Sequence, residues 1–192
     1  MYYLQRIFQA MFDPEYTTAG LYDSPRLGEA FVIVSLYAFF TSLDSFLSGY
    51  LRTDTFSVGL LSFFISTLTT FLLWVGLAMV FHVLADLLGG LGELPHALSF
   101  VGLGMSPLIF TSILRGVLTV LQITVYYNDP DKLLAKAGLG LDLIGIAWGT
   151  PGIICYFGMK NAEKLHSMKA LLITLVLFLA LASYLVLTSD AL

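Results

Sequence analysis

Five long apolar stretches dominate the chain, and short polar connectors separate them. They run from Ala30 to Leu47, Phe56 to Leu88, Leu98 to Val125, Leu141 to Phe157 and Ala170 to Leu187. A helix needs roughly 20 apolar residues to cross about 30 Å of hydrocarbon. Each stretch is near or above that length, which makes lipid the solvent. The expected fold is an all-α, polytopic membrane bundle of five transmembrane helices. Only 11% of the residues are charged, against about 25% in a soluble domain. The 192 residues fit one membrane domain and leave too little polar chain for a conventional catalytic one. The net charge of −4 argues against nucleic acid, which needs a clustered basic face. The lone cysteine, Cys155, rules out a disulfide within the chain.

Residues 1–29 are too polar to span and form an expected cytoplasmic or interfacial segment, ahead of a transmembrane domain over 30–192. Leu4, Ile7, Phe8, Met11 and Phe12 recur at helical spacing, the pattern of a short amphipathic helix. Asp13-Pro14 ends it, because the residue before a proline avoids the helical region. Such a helix either packs on its own bundle or lies in the lipid interface. The mixed composition before Ala30 does not fit a cleaved signal peptide, so the first span is expected to be an uncleaved insertion signal.

The spans are unequal. Phe56 to Leu88 would measure roughly 50 Å as one helix, so it must tilt or project beyond the bilayer. Pro107 in the third span and Pro151 in the fourth each remove a backbone hydrogen bond, and a kink or break is expected at both. Gly145 and Gly149 form a GxxxG pattern that permits close helix approach. Lysine and arginine placement sets the orientation. A cytoplasmic N-terminus puts Arg6, Arg26, Lys160, Lys164 and Lys169 on the inner side, against Arg52, Lys132 and Lys136 outside. The favoured arrangement is therefore N-terminus in, C-terminus out.

Charges at membrane depth are costly and need an account. Asp44 and Arg115 fall at similar heights in the first and third spans. An intramembrane pair between them is one reading, with Asp142 as a second candidate partner; Arg115 snorkelling to headgroups is the other. This topology sorts all three histidines, His82, His96 and His166, to the inner side with Asp86, Glu93 and Glu163. His82 and Asp86, four apart, share a helical face. With His96 they could ligate a divalent metal; the simpler reading is a hydrogen-bonded helix pair. The expectation is no cofactor, with a divalent metal as the alternative. Nucleotide-binding and nucleophile-elbow motifs are absent in their required contexts.

Six motifs follow one another along the chain: Phe12-Asp13-Pro14-Glu15-Tyr16-Thr17, Ser24-Pro25-Arg26, His82 through Gly92, Ser106-Pro107-Leu108, Ile146-Ala147-Trp148, and Asn161 through Ala170. In this order they resemble the Yip1-domain family, in its short prokaryotic type. The resemblance implies a five-helix membrane fold in a prokaryotic cytoplasmic membrane, with a cytoplasmic N-terminus and an extracytoplasmic C-terminus. Eukaryotic members are associated with vesicle trafficking and Rab-type GTPases through a longer N-terminal domain carrying an Asp-Leu-Tyr-Gly-Pro-type motif. Here the leader reads Gly20-Leu21-Tyr22-Asp23-Ser24-Pro25 instead. The expected function is a non-enzymatic protein that organises membrane or partner proteins. Its expected partners are the lipid bilayer and copies of itself or other membrane proteins. The alternative is a small transporter or channel for an ion, metal or lipid.

Overall fold

The computed structural model describes residues 2–120 and 146–189, and all the elements among them are helices. They are α1 (Tyr2–Phe12), α2 (Pro14–Thr18), α3 (Leu27–Thr53), α4 (Phe56–Leu87), α5 (Leu94–Gly104), α6 (Ser106–Val120), α7 (Ile146–Ala162) and α8 (Ser167–Ser189). Among the described residues, Leu27–Leu51, Phe56–Leu87 and Leu94–Val117 are long and apolar enough to cross a membrane. Ser167–Leu179 is apolar but shorter. Gly145 and Asp142 lie outside the described residues.

The long second span is one unbroken helix, α4, ending at Leu87. Much of its length turns leucine, isoleucine and phenylalanine outward, as at Leu61, Phe64, Ile65, Leu68 and Leu72. α8 does the same at Leu171, Leu172, Leu175 and Val176. Such surfaces are costly in water and suited to hydrocarbon.

The third span breaks where Pro107 predicts. α5 stops at Gly104, Met105 caps it, and α6 begins at Ser106 with Pro107 in its first turn. A proline there loses no intrahelical bond, since first-turn N–H groups have no partner in any helix. The fourth span has no break at its proline: α7 runs through Pro151 as one helix. A proline deletes one rung of the ladder, and here the surrounding rungs keep the segment helical.

α5 is the axis of the bundle. His96, Ala97 and Ser99 through Gly104 are all buried, against α3, α4 and α7. Two glycines set how closely its neighbours approach. A Cβ on Gly102 would collide with Ala30 of α3, and one on Gly158 of α7 would collide with the ring of Phe100. The Trp74 indole N–H of α4 donates to the Leu98 carbonyl at 2.9 Å. Phe81 and Phe100 meet edge to face, with centroids 5.6 Å apart.

The N-terminal segment packs on its own bundle along one face. α1 buries Ile7 and Ala10 in the same core as Phe100 and Ile154, and leaves Phe8 and Phe12 exposed, Phe12 by 81%. Asp13 separates α1 from α2 and caps α2 by accepting the Tyr16 N–H at 3.1 Å. Thr17, Thr18 and Leu21 are fully buried.

Candidate functional site

Among the described residues, polar groups gather in two places. The first is a seam between α3, α4 and α6. Ser42 and Thr67 share a hydrogen bond of 2.8 Å, and Thr41 and Ser112 one of 2.9 Å. One turn along, Arg115 Nε lies 3.2 Å from Asp44 Oδ2. Asp44 is buried; the Arg115 side chain is 61% exposed. The spacing 41, 44 on α3 and 112, 115 on α6 puts each set on one helical face. The seam joins helices by charge and hydroxyl pairs.

The second gathering is the end of the bundle where α4 and α7 finish and α5 and α8 begin. α4 closes with Gly89 in the left-handed region, at φ +84°. The Gly89 N–H donates to the Asp86 carbonyl at 3.0 Å and the Gly90 N–H to that of Ala85 at 2.8 Å. These two bonds define a Schellman stop, which needs glycine because other side chains strain at that φ. The sequence Gly89-Gly90-Leu91-Gly92 is thus a helix terminator, and its next N–H, from Leu91, donates to the Glu163 carbonyl at 2.9 Å. Gly92 lies so close to the end of α7 that a Cβ would strike the Glu163 carboxylate and the Ala162 carbonyl. Lys169 Nζ donates to the Leu88 carbonyl at 2.8 Å and ties α8 to the same connector.

His96 holds the N-terminal segment here. Its Nδ1 accepts the Glu93 N–H at 2.8 Å, which leaves Nε2 protonated to donate to the Tyr22 carbonyl at 2.9 Å. The Tyr22 ring stacks on the imidazole, and Lys164 Nζ sits 4.6 Å from the centroid of that tyrosine ring. Lys160 pairs with Glu15 at 2.9 Å, and Asn161 Nδ2 donates to Thr18 Oγ1 at 2.9 Å. Arg6 and Arg26 approach Glu29 at 3.4 and 3.9 Å. Segments distant in sequence are stitched together at this one end.

The three residues with metal-binding potential are not brought together as a set. His96 spends both ring nitrogens on backbone groups. Asp86 is exposed, and the carboxylate facing His82 belongs to Glu163, whose Oε1 lies 3.7 Å from Nδ1. Among the described residues, no three His, Cys, Asp or Glu side chains are disposed to hold a metal ion. His166 accepts the Met168 N–H at the start of α8, at 3.4 Å.

In the sequence Glu163 is one of three inner-side carboxylates, with Asp86 and Glu93, and nothing sets it apart from them. Its side chain is 1% exposed, and neither oxygen closes a hydrogen bond. Burial pushes its carboxyl up to about 7; the nearby Gly92 N–H opposes the rise and the negative Asp86 adds to it. The flanking Lys160, Asn161, Lys164 and His166 give the segment the look of a solvated loop, so no local signal marks the one carboxylate that turns inward.

Among the described residues the two gatherings contain helix ties, caps and two buried acids, Asp44 and Glu163. No curated protein and no solved structure matches the chain. The family model of the Yip1 domain matches residues 8–189, nearly the whole chain and including both polar gatherings. The chain belongs to the Yip1-domain family of membrane proteins.

Proposed function

We propose that this protein is a non-enzymatic integral membrane protein that organises other membrane proteins, or copies of itself, through its helices. The Yip1 family is not known as an enzyme family. The observation that carries the reading is the use of the polar side chains: Lys160, Asn161, Lys169, His96 and Trp74 each hold one segment of the chain to another. The outward apolar faces of α4 and α8 offer surface to lipid or to partner helices. In this reading the chain makes five spans in a prokaryotic cytoplasmic membrane, with the polar end and its histidines on the cytoplasmic side, as the distribution of lysine and arginine favours.

One observation favours a rival. The α5–α6 break at Met105 lies inside the bundle, and broken helices there are a device of small transport sites. Purified protein in liposomes, assayed for ion and lipid passage, separates the two. The organising role predicts no flux above empty liposomes and a cross-linkable assembly. Flux that vanishes in Asp86→Asn or Arg115→Gln establishes the transporter and removes the organiser.

A further inference from the structure

Glu163 has one side-chain partner at the polar end, the His82 imidazole at 3.7 Å, and its position is unusual. Its backbone carbonyl accepts the Leu91 N–H. Its side chain lies beneath Gly92, against which it leaves no room for a methyl group. One residue therefore joins the 88–93 connector twice, once through a hydrogen bond and once through packing. Lifting the connector would uncover the carboxylate.

The groups around it do not neutralise it. α4 presents the His82 imidazole, a charge partner only when protonated, and the negative Asp86. The connector presents the Gly92 N–H. On the α7 side Lys160 is engaged with Glu15 and Lys164 with the Tyr22 ring; on the α8 side Lys169 is engaged with the Leu88 carbonyl and His166 with the Met168 N–H. Among the described residues no lysine or arginine forms an ion pair with Glu163. A buried carboxylate with no cation prefers to hold a proton.

We propose that Glu163 is a proton-binding site that latches the 88–93 connector to the end of α7. A proton taken from water onto a carboxylate oxygen gives a neutral acid that stays buried, and the connector stays docked. Loss of that proton leaves a charge that draws water beneath Gly92 and frees the Leu91 N–H. The affinity of this end for any partner that grips the connector then follows the pH of the compartment it faces. This goes beyond the organising role and holds whichever protein or lipid is organised.

The burial that raises Glu163 toward neutrality supports the choice of range for the test. Hydrogen exchange of the 88–93 amides is measured on the full chain in nanodiscs at about pH 5.5 and about pH 8.5, and corrected for the intrinsic pH dependence of exchange. Protection of Leu91 is expected to fall by about tenfold or more between the two, because above the carboxyl's midpoint a rise of about one in pH multiplies the ratio of ionised to neutral acid about tenfold. Glu163→Gln should be protected equally at both. His82→Gln should keep the fall, because the carboxyl is the titrating group. Equal protection of the unsubstituted protein at both pH values overturns the latch, as does a fall that persists in Glu163→Gln or disappears in His82→Gln. If Glu163→Gln does not fold, the His82→Gln arm and the unsubstituted protein still decide.

Discussion

Asp44 and Glu163 are both buried carboxylates, one in the second half of α3 and the other just past the end of α7, and they differ in what stands against them. Asp44 has the Arg115 guanidinium at 3.2 Å. Glu163 has an imidazole at 3.7 Å, a second carboxylate nearby and a backbone N–H. A buried charge is tolerable when an opposite charge compensates it and is costly when none does. Asp44 can therefore act as a permanent brace between α3 and α6. Glu163 is neutral or ionised according to pH, so the contact it makes is conditional.

The largest expected effect comes from breaking the brace. Arg115→Leu removes that cation from Asp44, and we expect a clear loss in unfolding free energy, read in mixed micelles. Exchanging the charges, Asp44→Arg with Arg115→Asp, should restore part of the expression lost in either single variant. Failure to rescue would mean that position, not charge pairing, matters at this depth.

Gly92→Ala tests the other carboxylate by force. Its Cβ would meet both the Glu163 side chain and the rigid Ala162 carbonyl, and overpacking of this kind costs about 2 kcal/mol. Adding Glu163→Ala should recover only the share due to the side chain, which a double-mutant cycle measures.

Glu163→Gln should act with the opposite sign. An ordinary glutamate titrates near 4.5 and Glu163 near 7. Between those values the native state holds a proton that the unfolded chain has released, so stability falls as pH rises from about 4.5 to about 7 and is flat above. Replacement by a neutral amide should leave stability at pH 4 unchanged and raise it at pH 8, by at most the roughly 3 kcal/mol that a shift from 4.5 to about 7 carries. Thermal unfolding at the two pH values checks both halves. A gain of equal size at pH 4 would show that the benefit is not electrostatic.

The smallest effect belongs to Lys160→Ala. Its pair with Glu15 is solvent-exposed, and such pairs contribute little. We expect no change in melting temperature outside measurement scatter; a clear drop would mean that α2 depends on this one contact for its position.

What can be read in advance is local in the chain. The end of α1 at Asp13-Pro14, the break at Pro107 and the stop at Gly89-Gly90 follow from residues that restrict their own backbone. The sorting of the histidines to one end follows from counting spans. Among the described residues α5 meets its neighbours closely at Gly102 and Gly158, which no spacing pattern marks. A glycine's role depends on which helix arrives opposite it, and no sequence window contains that helix. The same holds for Glu163, hidden by the glycine of a connector some seventy residues earlier.

The buried half-helix α5 has a consequence for how the protein is made. Leu94–Val117 is long and apolar enough to enter the bilayer as one piece. The glycine that admits Phe100, Gly158, is synthesised almost sixty residues later. Until then one flank of α5 faces lipid or the insertion machinery instead of its final neighbour. The bend at Met105 therefore has its full support only once α7 has emerged, so the core of this bundle is completed late in biosynthesis and from the side.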